Sequence, residues 1–485
     1  MARRIYTLII LLALTFITVN AQSRYATHSK LATGKWVKIR VADEGVYQLT
    51  SATLKDLGFS NPAKVCLYGY NLPFLPEAKI ENLGDDLTEI PLFRKADGTL
   101  LFYSCGTTLW TRSSESSAFT HRNNPYSNYI YYFLTETTGT PATFSQSDAS
   151  ASAGTKQTTY YAHALHEEDT FSFINAGRTF FESHDYANNP QKTYQLTFDN
   201  TTCGDVTIDV QFGAAGISSS SLSVSVGDNT LGTLAFPKKS NYADAYISNK
   251  SFTLYDQTAT SFSIKLKHTR SSGIAGHLDY IRATAEATLS LNGRNYLAFT
   301  PNSNGTCTFE LQGANAATCI WDVTTPATTH ELAGTLTGST YKATATRAKF
   351  TNQYVAVNTT ATFPTPQTVG NVTHQDLHAL DSINLLIIVP SNGKLTEQAQ
   401  RLAAAHTKID GIRCAVVEAD HIYNEFSSGT PDATAYRRLM KMFYDKQYKA
   451  SPLTGTQKGS LNILLFGNSI DRKSTRLNSS HCWSS

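Results

Sequence analysis

The chain has 485 residues, of which 41% are hydrophobic and 16% charged, with a formal net charge of +3. The surplus sits at the two ends: setting aside Arg3 and Arg4 of a leader, and Asp471, Arg472, Lys473 and Arg476 of a tail, leaves 36 basic against 37 acidic residues. A near-neutral chain without a basic aromatic stripe or a glycine-rich phosphate loop excludes nucleic acid and anionic lipid as charge-driven partners, and the length suits about three domains.

Residues 1–21 read as a secretory signal peptide. Arg3 and Arg4 form the basic region, residues 8–19 (LIILLALTFITV) the apolar one, and Val19-Asn20-Ala21 the cleavage site before Gln22. The apolar run is short for a membrane span, so the expectation is export, with the mature protein soluble or peripherally held outside the inner membrane. Export permits disulfides. Cys307 with Cys319 could close a hairpin, but Cys66, Cys105, Cys203, Cys307, Cys319 and Cys414 are widely scattered and lack CxxC spacing. Small core residues are the preferred reading for most of them.

An N-terminal β-rich domain is expected over 22–145. Residues 36–41 alternate, with Lys38 and Arg40 on one side, and Asp43-Glu44-Gly45 turns the chain toward residues 46–49, which reads as a hairpin. A short helix follows, capped by Thr50 or Ser51, with Leu54 and Leu57 on one face and Gly58 at its end. Residues 128–134 (NYIYYFL) predict an aromatic strand, either fully buried or at an edge. Residues 145–157 are Ser/Ala/Thr/Gly-rich and read as a linker. A β-sandwich domain is expected over 158–291, where 194–198, 206–210, 222–226 and 262–266 alternate cleanly. A β-rich connecting region covers 292–370.

The pattern changes near Leu377. Residues 384–389 (NLLIIV) are continuously apolar and stop at Pro390, as in a parallel strand covered on both faces. Leu395, Ala399, Leu402, Ala403, His406 and Ile409 recur at helical spacing, and 412–417 is a second strand. Thr430-Pro431 reads as a cap with proline in the first turn of a helix carrying Tyr436, Leu439, Met440 and Phe443, and 461–466 is a third strand. The fold class is therefore multidomain: mainly β, sandwich-like regions, then a βαβαβ α/β domain over 377–470 whose sites belong at the carboxyl ends of its strands. The remainder, 471–485, opens with an adapter-like run (Asp471 to His481) and is expected to be non-native, with the α/β domain cut short before it.

Each reactive residue type has a plain alternative. His481-Cys482 sits in or beside the adapter-like run, and neighbours on an extended chain face opposite ways. Cys414 falls in a strand and reads as core. His378 and His406 read as hydrogen-bonded packing residues. Glu425 and Asp432 flank a loop where an active-site wall would stand, but the preferred reading is a solvated acid for Glu425 and a helix N-terminal charge for Asp432. His374 and His378 around Asp376 lack a helical context or further ligand for zinc. No metal or cofactor is expected.

Several collinear stretches resemble the gingipain (C25) cysteine peptidase family, and within it the PorU-type sortases of the type IX secretion system. They are Gly34-Lys35-Trp36-Val37-Lys38-Ile39 with Gly45-Val46-Tyr47-Gln48-Leu49-Thr50, Asn124-Pro125-Tyr126-Ser127 with Tyr131-Tyr132-Phe133-Leu134-Thr135, and His166-Glu167 with Gly177-Arg178. Further on come Leu278-Asp279-Tyr280-Ile281, Trp321-Asp322-Val323-Thr324, Asn371 with Leu377-His378-Ala379-Leu380, Ile422-Tyr423-Asn424-Glu425-Phe426-Ser427-Ser428-Gly429 with Asp432, and Leu464-Leu465-Phe466-Gly467. The resemblance implies a caspase-like peptidase domain with a cysteine nucleophile activated by a histidine. Both lie after the strand ending at Gly467, so neither is assigned to a residue here and the chain itself is expected to be inactive. Implied partners are protein cargo with a C-terminal signal domain, outer-membrane secretion proteins and a surface glycolipid acceptor. The competing readings are a non-catalytic surface binding or scaffold protein and a general extracellular protease of the same family.

Overall fold

A computed structural model describes residues 24–78, 83–112, 118–147, 154–174, 179–240, 243–271, 273–380, 383–449 and 461–467. The leader, Gly177-Arg178, the tail and its His481-Cys482 pair lie outside them.

The N-terminal strand β1 (Val37–Val41) alternates as expected, burying Val37, Ile39 and Val41. It does not form a hairpin with β2 (Glu44–Leu49). Instead β1 pairs antiparallel with β9 (Ile130–Glu136), while β2 pairs with β6 (Leu100–Cys105) in another sheet. The reason is that β2 is apolar on both faces. Tyr47 and Leu49 join the core beneath β1, and Val46 joins a second core on the other side, with Trp321, Val355 and Val357. A strand shared by two cores leaves its neighbour and turns a corner, as in orthogonal sheet packing. Helix α1 (Ser51–Asp56) follows, with the Thr50 hydroxyl accepting from the Thr53 amide and Leu54 buried.

The aromatic strand β9 is central, not at an edge. It lies between β1 and β3 (Val65–Tyr68), and β4 (Glu89–Ile90) completes that side. The opposite edge is β26 (Gln367–Asn371), which returns from far along the chain to pair with β1. The short β5 (Phe93–Arg94) extends the β2–β6 sheet, and β7 (Thr108–Arg112) with β8 (Phe119–Asn123) forms a separate hairpin.

The middle of the chain is a β-sandwich. One antiparallel sheet runs β11 (Thr159–Glu167), β18 (Ala275–Thr288), β13 (Thr202–Ala215), β16 (Tyr246–Gln257). The other runs β12 (Gln191–Thr197), β17 (Ser261–Thr269), β14 (Ser220–Val226), β15 (Asn229–Phe236). The alternating residues meet inside: Ile208, Val210 and Phe212 face Leu222, Val224, Ile264 and Leu266.

The β-rich connecting region forms two four-stranded sheets, one of them completed by β10 (Thr155–Gln157) from the end of the stretch read as a linker: β10, β20 (Gly305–Leu311), β24 (Thr340–Ala348), β23 (Gly334–Thr337), and β19 (Tyr296–Phe299), β25 (Tyr354–Asn358), β21 (Thr318–Asp322), β22 (His330–Leu332). Its inner residues, among them Phe299, Phe309 and Tyr354, continue the sandwich core without a break. Cys307 on β20 and Cys319 on β21 therefore sit in different sheets, and no disulfide joins them.

The C-terminal unit is a parallel sheet with β27 (Leu385–Val389) between β28 (Cys414–Glu418) and β29 (Asn462–Leu465). Leu386 and Ile388 point to one core, Ile387 and Val389 to another, which explains the continuous apolar run. Helix α2 (Thr396–Asp410) covers the second core with Ala399, Leu402 and Ala403, but Ile409 is 79% exposed and off that face. An additional helix, α3 (Ala419–Phe426), follows β28 directly. The next, α4 (Thr434–Tyr444), begins beyond Thr430-Pro431, which lie in the turn before it. Cys414 is half-buried, not core, because β28 is an edge strand.

Trp321 joins two of these units. It is fully buried, with its ring 5.5 Å from Phe93 and 4.9 Å from Phe144 of the N-terminal domain. Trp321→Ala should lower stability by about 3–5 kcal/mol and loosen both units together, seen as a shifted single transition in urea denaturation.

Candidate functional site at the carboxyl edge of the parallel sheet

The three strand ends are held together. The Ser391 hydroxyl, just past β27, accepts from the Asp420 amide at 2.8 Å in the first turn of α3. Gly467, past β29, packs on Pro390 so closely that a Cβ there would come within 3.1 Å of the proline ring. The edge is thus rigid before any reactive group is added.

Beside it, the Ile422–Gly429 stretch grips the N-terminal domain. Lys38 reaches in from β1 and donates to Asn424 Oδ1 at 2.9 Å and to the Gly429 carbonyl at 3.0 Å, its ammonium 4.5 Å from the Tyr131 ring centre. Burial pushes this amine down to about 8, with the Asp420 carboxylate opposing the shift. Ser428 donates to the Tyr131 carbonyl, at a positive φ of 53°. Gly429, also at positive φ, leaves no room for a side chain: a Cβ would lie 2.6 Å from Lys38 Cε.

Glu425 is fully buried on α3 and is not a solvated acid. The Leu377 amide donates to its two oxygens at 2.9 and 3.1 Å, Gln375 Nε2 at 2.9 Å and His378 Nδ1 at 2.6 Å. His378, equally buried, also faces Asp85 of the N-terminal domain, with Nε2 3.2 Å from Oδ2 in an ion pair too bent to count as a hydrogen bond. Burial alone would lower its pKa, but the two carboxylates raise it to about 10, so the ring stays cationic. Asp432, buried too, accepts from the Leu75 amide at 2.9 Å and from the Thr434 amide at 2.8 Å, so it caps α4 and ties down the N-terminal domain at once. The gap left at this junction measures about 10 Å³, among Tyr70, Leu75, Ser427 and Asp432, which is room for one water and not for a substrate.

The other sequence candidates separate. His374 Nε2 bonds the Gly34 carbonyl, and Asp376 accepts from the Ser29 and Ala379 amides, so they and His378 share no ligand site. His406 pairs with Asp410 on α2. Among the described residues the hydrogen bonds of the six thiols go to carbonyls and to serine, glutamine and tryptophan side chains, never to an imidazole. Burial pushes the Cys66 thiol up to about 12 and raises those of Cys105, Cys203, Cys307 and Cys319 as well. The motif over 422–432 is thus a docking device and carries no nucleophile.

Residues 378–477 match the sequence profile of peptidase family C25. Among solved structures, dimeric latent PorU from Porphyromonas gingivalis superposes on 92% of this chain with a TM-score of 0.83 and 27% identity. Residues 378–477 thus carry the signature of the gingipain, or C25, peptidases, and the chain is similar to PorU along nearly its whole length. It spans 43% of the length of that PorU structure. A further match, a CBM36-1 domain of a xylanase from the hindgut metagenome of Trinervitermes trinervoides, covers 25% of this chain and 95% of its own at 14% identity and a TM-score of 0.17, too low to bear on function. No curated protein matches the sequence.

Two outcomes follow from the buried pair. Glu425→Ala should cost about 3–5 kcal/mol by leaving His378 uncompensated, measured by chemical denaturation. The His378 contribution should be complete below about pH 6.5, the ordinary histidine value, and fade as pH rises through about 10. The stability difference between the wild type and His378→Gln should therefore shrink from pH 6 to pH 10.

Proposed function

We propose that the protein is an exported cysteine peptidase of the sortase kind, which releases C-terminal signal domains from secreted cargo at the cell surface. The observation that carries this reading is the superposition of 92% of the chain on PorU, β-rich regions and α/β unit together, at 27% identity. In this chemistry a thiolate attacks the scissile carbonyl, a thioester forms as the C–N bond breaks, and a protonated imidazole gives its proton to the leaving amine. An acceptor amine, such as one on a surface glycolipid, then takes the acyl group and frees the thiol. Partners in this reading are the cargo and the outer-membrane proteins of the secretion system, and the leader at 1–21 directs export. The chain by itself is proposed to be inactive.

Deleting the gene in its host should leave exported cargo with the C-terminal signal domain attached, read by intact mass of surface proteins. Normal trimming in the deletion strain would overturn the sortase reading. Purified residues 22–485 should show no thiol-dependent cleavage of the same cargo, and turnover by that piece would overturn its proposed inactivity.

A further inference from the structure

At one end of the sandwich, three potential ligands converge from two neighbouring stretches of the chain. His166 lies near the end of β11, Glu168 just after it, and Glu182 on the segment leading to β12. His166 Nε2 and a carboxylate oxygen of each glutamate lie within 4.8 Å of one another. Glu182 is nearly enclosed, with 3% of its side chain exposed, against 25% for His166, and Glu168 is exposed.

The local bonding is unbalanced. Lys192 pairs with Glu182 Oε1, and Tyr194 donates to Oε2 at 2.6 Å. His166 Nε2 is shielded from solvent yet makes no hydrogen bond, its nearest charged neighbour being Glu182 Oε2 at 3.7 Å. Among the described residues, two carboxylates thus face one ammonium, beside a buried ring nitrogen with an unused valence.

We propose that His166, Glu168 and Glu182 form a binding site for a divalent transition ion of the zinc type. One imidazole nitrogen and two carboxylate oxygens are ligands zinc accepts, and three protein ligands leave the fourth tetrahedral position to water. Closing from the present spacing to bonds of about 2.0–2.2 Å requires only side-chain movement of the exposed Glu168 and withdrawal of Lys192 into solvent. The ion would act as a cross-link, fixing the 179–183 segment to β11, and Lys192 would be its competitor for Glu182.

The test uses the full chain, with Zn2+ heats by titration calorimetry and Co2+ visible absorption. Expected are stoichiometric binding of one ion at the site, weakening by about tenfold or more in H166A and in E168Q, and tighter binding in K192A, where the competing ammonium is gone. H166N serves if H166A does not fold by circular dichroism. A folded wild-type chain that gives neither Zn2+ heat nor a Co2+ spectrum overturns the proposal, as does binding that the His166 variants leave unchanged. A merely structural salt-bridge cluster would show K192A destabilised and no metal dependence.

Discussion

The carboxylate of Glu425 is the constraint on which the joined domains depend. An ionised side chain taken wholly out of water costs several kcal/mol unless the fold supplies its own partners. Here the partners are Gln375, the Leu377 amide and His378, all from the segment by which the chain leaves the β regions and enters the α/β unit. Satisfying one charge therefore fixes the path of the crossover. The charge of His378 passes the constraint on to Asp85, and Asp432 repeats the device at the Leu75 amide. Both acids, one expected in solvent and one as a helix N-terminal charge, thus hold the α/β unit against the N-terminal domain.

The β regions are bound to one another by a different means. Val46, Leu101 and Tyr103 share a core with Trp321, Val355 and Val357, and the sandwich core runs on into the sheets that follow it. Apolar continuity of this kind is non-directional and strong in sum, whereas the junction with the α/β unit relies on directed polar bonds. Together they give a long support whose parts cannot swing freely, in keeping with superposition on PorU over nearly the whole chain.

Periodicity made much of this legible. The runs at 206–210, 262–266 and 384–389 became strands, and the Thr50 cap and the helix carrying Leu402 formed as their spacing implies. The errors share one cause: local pattern does not say which distant surface a residue meets. β1 and β2 read as a hairpin because both alternate, yet β2 belongs to two cores. Glu425 read as solvated because it stands beside a loop, while the groups that enclose it come from residues 375–378, far back along the chain. Cys414 read as core because its strand is apolar, and the strand proved to be an edge. No linear spacing relates His166 and Glu168 to Glu182, so that cluster had no signal in the sequence.

The strand β26 has one more consequence, for the order in which the molecule is made. Residue 37 pairs with residue 371, so the N-terminal sheet keeps an open seam until nearly all the β regions have been synthesised and threaded. The entropy of closing so long a loop grows only logarithmically with its length, but the delay is real for a chain that emerges from its first residue onward. During that interval β1 presents an unpaired edge, the kind of surface that recruits foreign strands. The last β segment thus works as a clasp: its arrival both finishes the first domain and brings the start of the α/β unit to the side of Lys38.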